Sequence, residues 1–238
     1  MPKPRILSWV YTANIKQAVH RCRQARWIAR RGRTIDAYLR QHQVRKLQIG
    51  AGFHRMEGWL NSDILPRYSD TIYLDITRAF PLPDNSFDYV LSEHIIEHIP
   101  YPDAAHALRE CFRILKPGGR IRLATPDLLQ LLGLYTTTPS EIQRRYAAWI
   151  TRTFVPYATG PTPCFVVNNA FRNWGHQFLY DEATLTESLS AAGFTGITRC
   201  EPNESTDPGL RNVDYHAECI DDADMNRYES MLFEAVKK

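Results

Sequence analysis

Three groups of residues in this chain have the types and spacing for chemistry. The first is Gln48-Ile49-Gly50-Ala51-Gly52, followed by acids at Asp63 and Asp75 and by Ser92-Glu93. Glycines let a backbone approach a ligand closely and leave N–H groups open to bind it. A carboxylate at Asp63 can take both hydroxyls of a ribose, and one at Asp75 can accept from an adenine amino group. The second group is the turn-rich stretch Phe171 to Tyr180, which gathers Arg172, Trp174, His176 and Tyr180. Aromatic and polar groups together suit a pocket that stacks on a substrate and hydrogen-bonds it, with His176 as general base. The third is His94-Ile-Ile-Glu97-His98, which matches the H-x-x-E-H pattern of zinc proteases. On a helix this spacing puts His94 and His98 on one face. Its competing roles are metal binding, bracing of the helix, and a base at the substrate mouth supplied by His98. Asp127 is a further candidate base, set against a cap for a helix from Leu128 onward.

These residues need elements that bring them together. Short apolar runs at Lys46–Ile49, Trp59–Ile64, Thr71–Ile76, Phe87–Ser92 and Arg120–Thr125 predict strands, and the candidate residues stand at their ends. Ala104–Leu115 predicts a helix, stopped by Lys116-Pro117-Gly118-Gly119. Asp181–Ala192 predicts another, capped by Asp181 and ended by Gly193. Gly196–Cys200 and Tyr215–Ile220 predict two closing strands. Strands alternating with helices imply a mostly parallel α/β sheet, whose ligands sit at the carboxyl ends of its strands. Leu128 to Phe178 fits the sheet poorly and is rich in aromatics, which predicts a lid or substrate wall.

Charge is uneven along the chain. Residues 1–46 hold 12 Lys/Arg and one acid, while the rest hold 17 Lys/Arg against 25 Asp/Glu. Asn14 to Gln41 has amphipathic helical spacing, interrupted near Gly32. Its basic face is either solvated, or drawn to anionic lipid headgroups, or drawn to phosphate in a substrate or nucleic acid. At 44% hydrophobic and 23% charged, the composition excludes a disordered chain and a collagen-like fibre. No apolar stretch is long enough to cross a membrane, and no signal-peptide apolar segment is present. The five cysteines form no C-x-x-C, which predicts reduced thiols and no cysteine zinc site. The expected location is cytoplasmic, peripheral to a membrane's inner face if the basic segment meets lipid.

The stretches LQIGAGFHRMEGWLNSDI, YLDITRAFPLPDNSFDYVLSEHIIEHI and ALRECFRILKPGGRIRLATPDL resemble class I S-adenosylmethionine-dependent methyltransferases, most closely the small type 11 domains. The likeness covers about residues 45–127 and, loosely, the segment from AAGF to the end. It implies a Rossmann-like seven-stranded, mostly parallel sheet with an antiparallel last strand. It divides the chain into a basic helical extension at 1–44 and a domain at 45–238, with a lid insertion at about 128–178. S-adenosylmethionine is the implied cofactor. Gly50, Ala51 and Gly52 would line its methionine end, Asp63 the ribose, and Asp75 with Ile76 the adenine. Ser92 and Glu93 would border the methyl-transfer site. Because Glu-His at this helix start is common in the family, the resemblance argues against a metal. Departures are Gln48 in place of an acid, His54 in place of a third glycine, and too few residues between Gly52 and Asp63 for a full first helix.

Motifs of adenine-N6, cytosine-C5 and arginine methyltransferases are missing. The expected activity is O-methylation of a small or glycan-like acceptor, because a hydroxyl gives His176 a proton to take. The basic segment would sit near anionic lipid or a phosphorylated carrier. Two alternatives stay open: an RNA methyltransferase guided by the basic segment, and a non-catalytic relative that binds the cofactor.

Overall fold

Alternating residues of the central strands divide the sheet into two unlike faces. The computed structural model describes residues 6–220 and 222–238, with side chains from Arg21 onward except at Cys219. Its strands are β1 (Lys46–Ile49), β2 (Leu60–Asp63), β3 (Ile72–Tyr73), β4 (Phe87–Glu93), β5 (Leu115–Pro126), β6 (Thr195–Cys200) and β7 (Ser230–Val236). They lie in the order β3-β2-β1-β4-β5-β7-β6, and β7 runs antiparallel to both β5 and β6. This is the Rossmann-like architecture expected.

One face is apolar. Leu47, Ile49, Leu60, Val90, Ile121, Leu123 and Phe233 pack there in the main core. Against it lie α2 (Tyr101–Ile114) and α6 (Glu182–Ala191). Helix α2 starts with proline in its first turn and buries Ala104, Leu108, Cys111 and Ile114 on one stripe. Helix α6 is capped by the Asp181 carboxylate, which accepts from the Thr184 amide. Helix α1 (Ile6–Gln41) also reaches this core through Ile35 and Tyr38. The Tyr38 hydroxyl accepts from the Lys46 amide at 2.8 Å, fixing where β1 begins. Helix α1 runs unbroken through Gly32, contrary to the expected interruption. A lone glycine costs a helix only about 1 kcal/mol, and packing on both sides of that turn outweighs it.

The opposite face is polar. Gln48, Asn61, Glu93, Arg122 and Glu234 alternate along its strands, and all are buried. No helix connects β1 to β2, because only ten residues, 50–59, separate them. The cover comes instead from residues 201–215, the long connection after β6. Arg122 anchors it. Its guanidinium pairs with Asp214 and Glu234 and donates to the carbonyls of Glu201 and Glu204. Leu210 and Val213 then close over Trp59 and Leu91.

The same connection corrects the expected strand at Tyr215–Ile220. That segment forms α7 (His216–Ile220), and β7 closes the sheet further on. The cause is distant in sequence. The Glu93 carboxylate accepts from the amides of Tyr215 and His216 at 3.0 Å each, so an acid satisfies the start of a helix. Residues 128–178 fold as α3 (Leu128–Leu132), α4 (Glu141–Phe154) and α5 (Pro163–Arg172). Together with α8 (Ala223–Glu229) and Ile220 they bury a second core around Leu131, Tyr146 and Ile150.

Candidate active site

The glycine turn closes β1 with Gly50 and Gly52 at φ +77° and +52°. Such angles suit glycine. A Cβ on Gly50 would also stand 2.1 Å from the Ile95 side chain. The amides of this turn are not open, as the sequence suggested. Gly50 and Ala51 both donate to the Ser62 carbonyl, and Gly52 donates to Asp63 Oδ2 at 2.8 Å. Asp63 Oδ1 accepts from Leu65 at 2.7 Å. A carboxylate oxygen has two acceptor positions, so each Asp63 oxygen keeps one for a ligand. Asp75 Oδ1 accepts from the Thr77 amide and hydroxyl. Ile76 is half-buried against the main core.

These acceptors fit an adenosyl group. Two carboxylates with open oxygens follow successive strands, in the order in which ribose and base would meet them. A third acceptor stands beside the turn. Gln48 Oε1 is buried without a hydrogen-bond partner, while its amide nitrogen donates to the His54 carbonyl. Over the turn, the Tyr215 hydroxyl lies 3.2 Å from the Gly50 carbonyl, and its ring stacks on His54. Ser92 and Glu93 are buried at the end of β4. Burial pushes the Glu93 carboxyl up to about 7, against the two amides that favour its charged form.

Beyond the ends of β4 and β5 opens a cavity of about 360 Å³. Tyr146, Trp149, Phe154 and Trp174 wall it, and four histidines and two glutamates line it: His94, His98, His176, His216, Glu97 and Glu229. Local backbone explains how they converge. Trp174 and Gly175 both adopt positive φ, which turns the chain so that Trp174 and His176 face inward. The amides of Gln177 and Phe178 then bind the Glu97 carbonyl, fastening this segment to the turn that follows β4. His94 takes φ +51°, and only a 3-10 turn follows at Ile96–His98. His94 and His98 therefore do not share a face of an α-helix, contrary to the sequence expectation.

The polar lining is ordered by hydrogen bonds. His176 Nδ1 lies 2.7 Å from the Ala170 carbonyl, so it carries the proton and Nε2 keeps a lone pair. His216 Nε2 lies 2.7 Å from Glu229 Oε1. Burial pulls the His216 imidazole down, but the bond and charge of Glu229 outweigh it and the net direction is up. His94 stacks on His216 with centroids 3.7 Å apart. Burial, and then the neighbouring His216, hold His94 well below the ordinary histidine range, hence neutral.

Of the residues singled out in the sequence, the fold brings His94, Glu97, His98, Trp174 and His176 to this cavity. Asp127 goes elsewhere. Its carboxylate caps α3 through the amides of Leu129 and Gln130 and pairs with Arg199. It serves as the helix cap, not as a base facing the cavity. Tyr180 is fully buried in the main core and forms no wall. Arg172 is exposed at the end of α5. Sequence reading missed His216 and Glu229, which arrive on separate elements without a spacing that links them, whereas Tyr146 belongs to the aromatic insertion expected as a substrate wall.

Residues 22–123 match the model of a family described as a methyltransferase domain. A probable S-adenosylmethionine-dependent methyltransferase of Mycolicibacterium smegmatis is 47% identical over 47 residues, which are 20% of this chain and 18% of that protein. A demethylmenaquinone methyltransferase of Listeria welshimeri is 49% identical over 41 residues, 17% of this chain and 16% of that protein. The chain thus spans a fifth or less of these relatives. An S-adenosylmethionine-dependent methyltransferase structure from Mesorhizobium loti aligns with TM-score 0.49 and 18% identity, over 81% of this chain and 90% of that one.

Proposed function

We propose that this chain, whose residues 22–123 match the model of a methyltransferase domain, is an S-adenosylmethionine-dependent methyltransferase acting on a hydroxyl of a small, sugar-sized acceptor. The observation that carries this reading is the aromatic-walled cavity at the ends of β4 and β5, with a polar floor of histidines. S-adenosylmethionine, when bound, supplies a methyl group on a sulfonium, an electrophile that needs mainly alignment and desolvation. Asp63 would hold its ribose hydroxyls, Asp75 with Ile76 its adenine, and Gln48 Oε1 its ammonium. On the acceptor side, Trp149 and Trp174 stack on the substrate and exclude water. The lone pair of His176 Nε2 orients the hydroxyl. His216, held by Glu229, takes the proton that the hydroxyl loses as its oxygen gains the methyl.

Helix α1 adds a second element. Arg23, Arg26, Arg30 and Arg33 are exposed along it, which suits an anionic headgroup or a phosphorylated acceptor carrier. Among the described residues no helix is long and apolar enough to cross a membrane.

Calorimetric titration with S-adenosylmethionine and S-adenosylhomocysteine tests the cofactor half. Asp63→Ala removes a charged acceptor contributing about 1.5–3 kcal/mol, so binding should weaken roughly 10- to 150-fold. Transfer of labelled methyl to sugars and lipid-linked glycans tests the acceptor half. Failure of both ligands to bind would remove the proposal.

A further inference from the structure

The cavity floor holds more metal-binding chemistry than methyl transfer requires. One donor atom each from Glu97, His98 and His176 lie within 4.8 Å of one another. Glu97 has no exposed surface, and its Oε1 has no hydrogen-bond partner, while Oε2 accepts from the Thr125 hydroxyl at 3.2 Å. His94 Nδ1 approaches Oε1 at 3.2 Å but outside hydrogen-bond geometry. His94 instead places Nε2 2.9 Å from the Ser230 hydroxyl. A buried carboxylate thus meets two imidazoles at the cavity floor.

His176 is arranged as a metal-ligating histidine would be. Such a residue donates its distal N–H to a carbonyl or carboxylate, which fixes the tautomer and aims the other nitrogen. Here Nδ1 is bonded to the Ala170 carbonyl, and the His176 ring meets His98 edge-on, with centroids 4.8 Å apart. We infer that Glu97, His98 and His176 bind one divalent first-row transition ion of the zinc class. Two imidazoles and one carboxylate suit zinc, cobalt or iron rather than magnesium or calcium, which take oxygen ligands. Three protein ligands leave coordination positions open to the cavity, so an ion held there would orient the acceptor oxygen in place of the His176 lone pair. His216 and Glu229, with His94, form a second cluster within the same span. That cluster is closed by the 2.7 Å bond between His216 and Glu229.

The test uses the full chain, stripped with a chelator and titrated with cobalt(II) and zinc(II). Calorimetry and the visible cobalt spectrum report binding without turnover, so failure of the methyl-transfer reading leaves the result interpretable. One ion per chain is expected. His176→Ala and Glu97→Gln should each weaken binding at least about tenfold, and His216→Ala should retain it. Zinc should raise the melting temperature of the parent but not of His176→Ala. The His176 ring is only partly buried, so this variant carries the test if Glu97→Gln does not fold. Absence of a stoichiometric ion, equal affinity in His176→Ala, or loss confined to His216→Ala would each overturn the inference.

Discussion

Arg122→Met should cost this protein a large part of its stability, and the structure sets the size. The Arg122 side chain has no exposed surface. Its N–H donors meet both Asp214 oxygens at 2.8 and 2.5 Å, Glu234 at 2.6 Å, and two carbonyls at 3.0 Å each. Burial disfavours the charged guanidinium, and the two carboxylates outweigh that, so its proton affinity rises overall. Methionine fills a similar volume but leaves Asp214 and Glu234 buried without their cation. Breaking a buried pair in this way costs about 3–5 kcal/mol. For a chain of this length that lowers the melting temperature by roughly 6–20 °C. Lysine keeps the charge but cannot reproduce the planar fork, so Arg122→Lys should also lose stability. Neutralising the partners together, in R122M/D214N/E234Q, should recover much of the loss. Urea titration gives the free energy, and amide exchange at residues 210–216 reports whether the 201–215 cover has opened. A loss below about 1 kcal/mol in Arg122→Met, with unchanged exchange there, would refute the anchoring argument.

Two further outcomes follow from the glycine turn and from Glu93. Gly50→Ala meets both a positive φ and the Ile95 side chain, so it should destabilise by about 1–3 kcal/mol. Adding Ile95→Ala should restore the steric part but not the backbone part; full restoration in a thermal melt would show that φ carries no cost. The Glu93 carboxyl is raised from its ordinary 4.5 to about 7, so the folded protein holds that proton more tightly than the unfolded chain. Its stabilisation is complete below about 4.5 and is lost as pH rises through about 7, amounting to about 3 kcal/mol. The difference between the parent and Glu93→Gln, measured by denaturant at pH 5 and pH 8, isolates this slope from the neighbouring histidines. Parallel pH profiles would contradict the assignment.

What could be read from the sequence was local in origin. Gly50, Gly52, Asp63 and Asp75 follow strands that their own apolar runs define. Lys116-Pro117-Gly118-Gly119 ends α2 by backbone chemistry alone, although β5 continues through it. The failures were decided elsewhere in the chain. Tyr215–Ile220 has the apolar content of a strand, yet becomes a helix because Glu93, 122 residues away, binds its first amides. Tyr180 reads as a stacking residue beside His176, but its pairing with Asp127 carries it into the core. His216 had no spacing partner to mark it. Gln48, Asn61, Glu93 and Arg122 repeat a polar position on successive strands, which requires a polar cover from some later segment.

That cover ties the architecture to the site. A β1–β2 connection too short for a helix exposes the polar sheet face, and the connection after β6 fills the space. In returning from Arg122 to the strand ends, it places Tyr215 over the glycine turn and His216 on the cavity floor. It then continues into α8, which shares a core with the lid helices α3 to α5, and Glu229 closes on His216. The aromatic wall and the histidine floor are thus held by two insertions packed on each other. A change that loosens the Arg122 anchor acts on both, because the segment it holds is the one that supplies His216. Stability of the cover and geometry of the cavity are therefore one physical property of this chain, reached through residues that never touch the acceptor.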